Sequence, residues 1–178
     1  MDIQEFFQQS AGRWFSQRTN HHLASKQGKS DKSNIKIEIL SQDDPKVIAL
    51  CQQYKIDPAL AWGGMGVTQE EAKTGSSVIV PIADPENPQR GTLLHNIGYA
   101  ETTRVPGRYI MGSDDVLTLI TESESLQIEE RLWFVSPNLR LRTSILKQSD
   151  GFSMTSFCSE IRMGMTPPKP QTTDAAQV

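Results

Sequence analysis

The sequence has few of the residues that build disulfide scaffolds and metal centres, with 2 cysteines and 3 histidines in 178 residues. Cys51 and Cys158 lie far apart and show no CxxC spacing, so neither a disulfide framework nor a zinc site is expected. His21 and His22 are adjacent, and neighbouring strand residues point to opposite faces, so the two do not chelate one ion together. We therefore expect no metal, and we interpret both cysteines as small packing residues.

Long hydrophobic runs are also missing. No stretch approaches the roughly 20 apolar residues that span a bilayer, and the mean hydropathy is −0.44. The first residues, Met1 to Glu5, lack the basic and then apolar pattern of a secretory leader. A net charge of −3 argues against nucleic acid as the main partner. We expect a soluble cytoplasmic protein that uses neither a membrane nor a nucleic acid.

Several catalytic signatures are absent from the sequence. It contains no glycine-rich phosphate loop, no nucleophile elbow and no paired-acid motif. An enzyme built from this chain would therefore act mainly by holding and orienting its ligand.

Helices are indicated at two places. Asp2 and Glu5 have the spacing of a capping box, and Ile3, Phe6 and Phe7 share one helical face. The second helix is predicted by the dipeptide Asp44-Pro45, a cap residue followed by proline at the first helical position. Asp57-Pro58 ends this helix. Its apolar residues repeat at helical spacing: Val47, Ile48, Cys51 and Tyr54.

Most of the remaining sequence alternates with period two or carries hairpin turn signals, which indicates β-strands. Strands are predicted near 13–23, 34–40, 60–68, 77–83, 91–99, 107–111, 116–123, 126–135, 139–147 and 152–163. Their short connections predict an antiparallel up-and-down order, and about ten such strands favour closure into a barrel because closure removes exposed edges. The predicted fold is mainly β, a ten-stranded antiparallel barrel with one N-terminal and one inserted helix.

Two polar stretches lie outside this pattern. Residues 25–34 are polar and rich in lysine, which favours a mobile loop. Residues 164–178 contain Pro167, Pro168 and Pro170, which favours a disordered tail. We therefore predict a single domain over residues 1–163.

The tripeptide Gly12-Arg13-Trp14 opens the first predicted strand directly after the first helix. Calyx-type barrels often begin with Gly-x-Trp, in which the indole closes one end of the barrel and an arginine from a late strand lies across it. Arg162 and Arg142 are both candidates for that stacking partner.

Arginine and lysine are distributed differently along the chain. Among the lysines, only Lys36 and Lys147 fall in predicted strands. Seven arginines do: Arg13, Arg18, Arg108, Arg131, Arg140, Arg142 and Arg162. Guanidinium groups bind carboxylates bidentately and tolerate partial burial better than ammonium groups. One interpretation is a cavity that receives an acidic ligand; the other is a set of arginines on the outer face, paired with acidic neighbours.

Two strands bear on this choice in opposite ways. In 126–135 the apolar face predicts that Glu130 points inward, where its charge needs either an arginine or N–H donors of a ligand. In the next strand, Arg140, Arg142 and Ser144 share one face opposite Leu139 and Leu141. Hydrophobicity alone turns those arginines outward, against the cavity interpretation, unless another surface covers the leucines. The last strand, with Glu160 and Arg162 opposite Phe157 and Ile161, is equally ambiguous.

Two further residues are candidates for ligand contact. Trp62, between small residues, serves either as a flat wall for a ligand or as ordinary core. His21 or His22, on the same strand as Arg18, serves as a proton donor or ligand contact.

Three segments together resemble a known family, the S-type phycobiliprotein lyases. They are 6–21, with Phe6-Phe7 and Gly12-Arg13-Trp14-Phe15-Ser16-Gln17-Arg18-Thr19-Asn20-His21; 130–144, from Glu130-Arg131-Leu132-Trp133-Phe134 to Arg140-Leu141-Arg142-Thr143-Ser144; and 156–162, Ser156-Phe157-Cys158-Ser159-Glu160-Ile161-Arg162. The similarity covers about residues 1–163, in the same order.

The resemblance implies a barrel like those of lipocalins and fatty-acid-binding proteins. It also implies an enzyme that binds an open-chain bilin, chiefly phycocyanobilin, as substrate and attaches it through a thioether to a cysteine of a phycobiliprotein subunit. The implied acceptors are phycocyanin β, allophycocyanin and phycoerythrin, in a cyanobacterial cytosol or plastid stroma. No permanently bound cofactor is implied.

The bilin suggests roles for the candidate residues. Arg18, Arg140 and Arg142 suit its two propionates, Trp62 its conjugated plane, and Glu130 or Glu160 its pyrrole N–H groups. A carboxyl group or His21 supplies the proton that completes the addition. Ser144 and Trp133 complete the expected binding set. The alternatives are a non-catalytic carrier of bilin, haem or fatty acid, or a subunit active only with a paralogous partner; a homodimer or heterodimer fits the outward leucines.

Overall fold

The computed structural model describes residues 1–70, 76–96 and 105–164. The helices are α1 (Ile3–Ser10) and α2 (Pro45–Gln53), with a 3₁₀ turn at Pro58–Leu60. The strands are β1 (Gly12–His22), β2 (Gln27–Ser41), β3 (Gly63–Gln69), β4 (Ser77–Asp84), β5 (Asn87–His95), β6 (Gly107–Met111), β7 (Leu117–Glu122), β8 (Leu126–Ser136), β9 (Leu139–Gln148) and β10 (Ser153–Arg162).

The ten strands form one closed barrel in which every strand pairs antiparallel with its neighbours in the chain and β1 pairs with β10. The predicted ten-stranded up-and-down barrel with two helices is therefore confirmed. Odd-numbered strands run from the end of the barrel that carries α1 toward the other end, and even-numbered strands run back. We call the end that carries α1 the closed end and the opposite end the open end.

The prediction of a mobile loop over 25–34 is wrong. β2 starts at Gln27 and pairs with β1 in register as far as His22, so only residues 23–26 connect the two strands. Lys26 adopts the left-handed conformation (φ 54°) that closes this turn. The hairpin is polar on both faces near its tip, so the alternation that identifies half-buried strands is missing there.

Two other strand boundaries differ from the prediction. β3 starts at Gly63 rather than 60, because the 3₁₀ turn Pro58–Leu60 precedes it, with Asp57 accepting a hydrogen bond from the Ala59 amide. β5 starts earlier than predicted, at Asn87, since Asp84 already pairs with Asn87 around a two-residue turn. Residues 97–99 of that predicted strand, and 165–178 of the predicted tail, lie outside the described residues.

Helix α1 closes its end of the barrel as a plug. The capping box of Asp2 and Glu5 starts the helix, and its buried face carries Ile3, Phe6 and Phe7. The Trp14 indole, fully buried, donates to the Ser10 carbonyl at 2.8 Å.

The predicted arginine partner of Trp14 is Arg162. Its guanidinium carbon lies 4.2 Å from the centre of the indole ring. The same group donates to the carbonyls of Gln9, Ala11 and Pro137. One guanidinium therefore joins the end of α1, the β8–β9 turn and the indole.

Helix α2 covers the outside of the barrel. Val47, Leu50 and Cys51 pack against Val78 and other outward residues of β4 and β5 in a second core separate from the lumen. Burial raises the pKa of the Cys51 thiol, as expected of a packing residue. No helix in the described part of the chain is long and apolar enough to cross a membrane.

Candidate functional site

The barrel encloses a cavity of about 670 Å³, within the range of about 300–1,000 Å³ typical of small-molecule sites. Aliphatic side chains line most of its wall: Ile35, Ile37, Met65, Val67, Ile79, Leu117, Leu119, Ile128 and Leu132. A polar wall faces them from β1, β8, β9 and β10: Arg18, Glu130, Arg140, Arg142, Ser144, Ser156, Cys158 and Glu160. The arrangement suits a largely apolar ligand with acidic groups on one side.

Strand β9 turns its arginines inward. Arg140, Arg142 and Ser144 line the cavity, while Leu139 and Leu141 lie on the outer face, half-buried. Hydrophobicity predicts the reverse orientation. The cross-strand register explains the difference, because Arg140 lies opposite Glu160 on β10, and the carboxylate compensates the buried guanidinium.

Arg140 and Glu160 form a buried ion pair low in the cavity. Nε of Arg140 donates to Oε2 of Glu160 at 2.7 Å, and the residues are 3% and 0% exposed. The Arg140 guanidinium also lies 5.3 Å from the Trp14 ring centre. Among the described residues, Nη1 of Arg140 and Oε1 of Glu160 have no hydrogen-bond partner. The pair thus links the plug to the floor of the polar wall.

Above this pair, two guanidinium groups flank one sulfur. Nε of Arg18 lies 3.3 Å from Sγ of Cys158, and Nη2 of Arg142 lies 3.6 Å from the same atom. Arg18 is exposed toward the open end, whereas the Arg142 side chain is 21% exposed. Together the two arginines present N–H donors to the cavity at one level.

Glu130 points inward, as the pattern of β8 predicts. Its carboxylate lies 3.6 Å from Nη1 of Arg142, and its side chain is 26% exposed. Because 3.6 Å exceeds the usual hydrogen-bond length, both groups keep capacity for a ligand. The neighbouring arginine and the ligand N–H donors, considered as alternatives from the sequence, are therefore compatible.

The electrostatics of the polar wall favour the charged forms of Glu160 and Arg142. Burial alone would raise the pKa of the Glu160 carboxyl, but Arg140 and Arg142 outweigh burial and hold it below the ordinary value. Burial lowers the pKa of Arg140, a group that stays protonated in proteins. For Arg142, the carboxylates of Glu130 and Glu160 outweigh burial and raise the pKa. Three guanidinium groups against two carboxylates leave the wall cationic.

Three predicted site residues lie outside the cavity lining. Trp62 packs at the closed end with its ring edge-on to Phe7, 6.0 Å between centres, so it belongs to the core. His21 is exposed on the outer face of β1, since Trp14, Ser16 and Arg18 alternate inward. Trp133 lies on the outer face of β8, beside a shallow groove near Met1. The geometry places none of the three against a ligand in the lumen.

Sequence reasoning missed the residues that form the floor. Phe6 and Phe7 of α1 supply the aromatic surface expected from Trp62, and Ser16, 4% exposed, faces the cavity beside Glu160. The signal was present as the apolar face of α1, but nothing in the sequence relates that face to the lumen.

The outer arginines follow the alternative interpretation. Arg13 pairs with Glu70 at 2.8 Å and Arg108 with Glu122 at 3.0 Å, all on the outer surface. The strand arginines therefore include a set that lines the cavity and a set on the outer surface that is paired with acidic neighbours.

The sequence is similar to those of known proteins over most of its length. The family described as CpeS-like protein matches residues 2–163. A protein of Thermosynechococcus vestitus named chromophore lyase CpcS/CpeS is 61% identical over 175 residues, covering 94% of this chain and 96% of its own. The phycocyanobilin lyase subunit CpcS of Picosynechococcus is 44% identical over 175 residues, covering 93% and 88%.

A solved structure has the same fold. The S-type phycobiliprotein lyase CPES of Guillardia theta superposes with a TM-score of 0.77 at 29% identity, covering 93% of this chain and 95% of its own.

Proposed function

The chain belongs to the CpeS-like family of chromophore lyases, and we propose that it binds an open-chain bilin, chiefly phycocyanobilin, inside its barrel and attaches it to a cysteine of a phycobiliprotein subunit. The observation that carries the proposal is the cationic wall, in which Arg18 and Arg142 flank Cys158 opposite an aliphatic surface. A bilin combines a hydrophobic conjugated chain with two propionates and suits both halves of the cavity.

The propionates bind to Arg18 and Arg142. Both arginines have donors that face the cavity, and Arg18 lies nearer the open end. Arg140 is engaged by Glu160 at 2.7 Å, so it supports the site from below and raises the positive potential of the wall. Ser144 and Ser156 line the same wall and add hydroxyl groups.

Glu130 accepts hydrogen bonds from the pyrrole N–H groups. Its carboxylate points into the cavity beside Arg142, between the inward-facing Ile128 and Leu132 of β8. In this position it also holds or returns the proton during addition. The floor of Phe6 and Phe7 sets how deeply the ligand enters.

The reaction is an addition that consumes no oxidant. The thiolate sulfur of the acceptor cysteine bonds to the ethylidene carbon on ring A of the bilin, and the electron pair of that double bond moves into the ring. The proton lost by the thiol is returned to the pigment, so atoms and charge balance. The barrel contributes by holding one conformer of a flexible ligand.

Phycobiliprotein subunits are the macromolecular substrates, with phycocyanin β and allophycocyanin as first acceptors to examine and phycoerythrin as a further one. The reaction is placed in a cyanobacterial cytosol or plastid stroma. The assay below uses the purified chain alone, so it shows whether the chain is active without a paralogous partner.

The test combines transfer and binding. Purified protein, phycocyanobilin and apo-phycocyanin β-subunit are mixed, and the covalent adduct is measured under denaturing conditions against a reaction without the lyase and against an acceptor whose cysteine is replaced by serine. We expect the adduct to form faster than in the spontaneous reaction and to have a single absorption spectrum. An adduct no faster than the spontaneous reaction contradicts the proposal.

Binding in the barrel is tested with the dimethyl ester of phycocyanobilin. Because the ester carries no carboxylate, we expect it to bind about 10-fold or more weakly than the free acid. Equal affinities would place the propionates outside the arginine wall.

A further inference from the structure

In the described part of the chain, the two ends of the barrel differ in access to the cavity. At the closed end, α1, Trp14 and Arg162 form the plug, and Phe6 and Phe7 cover the cavity floor. At the open end, the cavity lining reaches exposed residues such as Lys29 and Asp31. A thiol on a folded acceptor cannot pass through the plug, so it approaches a bound ligand from the open end.

One part of the open end combines exposed apolar groups from two hairpins. Leu23, in the β1–β2 turn, is 55% exposed, and Phe152, in the β9–β10 turn, is 37% exposed. The Phe152 ring packs edge-on against His22 with 5.3 Å between centres. The Leu23 amide donates to the Ser153 carbonyl at 3.1 Å, which joins the two hairpins. We call Leu23, His22 and Phe152 the rim cluster.

The rim cluster is continuous with the polar wall. His22 pairs with Met154, which lines the cavity, and the next inward pair, Asn20 and Ser156, is hydrogen-bonded at 2.8 Å. The next inward residue of β1 is Arg18. His22 lies four residue steps along β1 from Arg18, a rise of about 13 Å. A surface seated on the rim cluster thus lies about 13 Å along β1 from Arg18.

The β1–β2 hairpin that carries Leu23 also carries several lysines. Lys26, Lys29 and Lys32 are exposed, and only Lys29 has a salt bridge among the described residues, to Asp31 at 3.2 Å. The hairpin from 26 to 32 therefore carries more positive than negative charge. Beside exposed apolar groups, such a basic hairpin favours a partner that has an apolar patch next to an acidic one.

We infer that the rim cluster and the basic hairpin dock the acceptor subunit, on the acidic face around its reactive cysteine, and so align the thiol with the open end of the cavity. This inference rests on the proposed function. The partner then lies on one side of the open end, over the β1–β2 and β9–β10 hairpins. From these hairpins, β1 runs to Arg18 and β9 runs to Arg142.

The inference is tested with variants that change the rim but not the cavity: Leu23→Asp, Phe152→Asp and Lys26→Glu. For each, phycocyanobilin affinity and the spectrum of the bound pigment are measured, and transfer is followed as a function of apo-phycocyanin β-subunit concentration. We expect unchanged bilin affinity and a KM for the acceptor raised about 10-fold. Lys26→Glu should also reduce the salt dependence of transfer, because it reverses one charge of the basic hairpin.

Leu60→Asp is the matched control, because Leu60 is 64% exposed but lies in the 3₁₀ turn at the closed end. Its acceptor KM should equal that of the unaltered protein. Rim variants with unaltered KM, or a control that raises KM equally, overturn the docking inference, as does a rim variant that weakens bilin binding. If the rim variants keep their KM, or if the control changes KM equally, bilin binding and transfer persist and the proposed function stands. If the proposed function is wrong, the unaltered protein itself shows no transfer above the spontaneous reaction.

Discussion

Arg140 and Glu160 face each other across β9 and β10 and form an ion pair with 2.7 Å between Nε and Oε2, almost fully removed from solvent. Such a pair contributes little net stability over a well-packed apolar pair, but removal of one partner leaves an uncompensated buried charge. The pair therefore makes the inward orientation of β9 depend on β10, and with it the position of Arg142.

The first prediction concerns this dependence. Glu160→Gln should lower the free energy of unfolding by about 3 kcal/mol, because Arg140 stays charged and buried. Urea unfolding measures the change. The double variant Arg140→Met/Glu160→Met, which removes both charges, should recover most of the loss. A double variant as unstable as the single one would contradict the ion-pair account.

The second prediction concerns the free energy of unfolding at acidic pH. The pKa of Glu160 is lowered in the folded protein, so its contribution to stability is present above the unfolded value of about 4.3 and is lost as pH falls through the folded value. The stability difference between the unaltered protein and Glu160→Gln should therefore shrink between about pH 5 and pH 3. Urea titrations across that range measure it. Glu38→Gln, an exposed site, is the control, and a difference that stays constant with pH would contradict the prediction.

The third prediction concerns the arginine wall. Arg18→Ala and Arg142→Ala should each weaken phycocyanobilin binding by about 1–3 kcal/mol, because each removes a charged donor to a propionate. Fluorescence or absorbance titration measures the affinity. Arg131→Ala, on the outer face of β8, should bind like the unaltered protein.

The ester of the pigment makes this prediction specific. In the double variant Arg18→Ala/Arg142→Ala, the acid and the dimethyl ester should bind equally, since the groups that distinguish them are gone. A double variant that still prefers the acid would show that other cations bind the propionates.

The barrel was predictable because most strands are short, alternate and end at turns rich in proline, asparagine or glycine. In β8 the alternation placed Ile128, Glu130 and Leu132 inward correctly. The alternation failed in the β1–β2 hairpin near Lys29, where both faces are polar and pairing is carried by the backbone. Periodicity detects burial on one face, so a strand with no buried face gives no signal.

The site was predictable in its residue types more than in its geometry. Arg142 and Glu130 line the cavity as the bilin hypothesis requires, but the inward orientation of β9 depends on Glu160, which lies 20 residues away on another strand. From the sequence Trp62 was either a ligand wall or ordinary core, and only its contact with Phe7 on α1 places it in the core. Such contacts arise from tertiary packing that spacing in the sequence does not contain.

The fourth prediction concerns the plug. Arg162→Leu should lower the free energy of unfolding by about 3 kcal/mol, because the carbonyls of Gln9, Ala11 and Pro137 lose a charged donor and Trp14 loses its stacked cation. Arg162→Lys should recover only part of this, since one ammonium cannot reach all three carbonyls. Thermal or urea unfolding measures the change. Equal stability of the lysine variant and the unaltered protein would contradict the three-way contact.

The fifth prediction separates Glu130 from its neighbour Glu129. Glu130 faces the cavity beside Arg142, whereas Glu129 is exposed on the outer face of the same strand. Glu130→Gln keeps the shape of the side chain but removes the carboxylate that accepts the pyrrole N–H groups and holds the proton. We expect it to weaken phycocyanobilin binding by about 1–2 kcal/mol, to shift the absorption of the bound pigment and to slow transfer. Glu129→Gln should change none of the three. If both variants behave alike, the carboxylate in the lumen has no special role, and the pyrrole groups of the ligand must be sought against another acceptor on the wall.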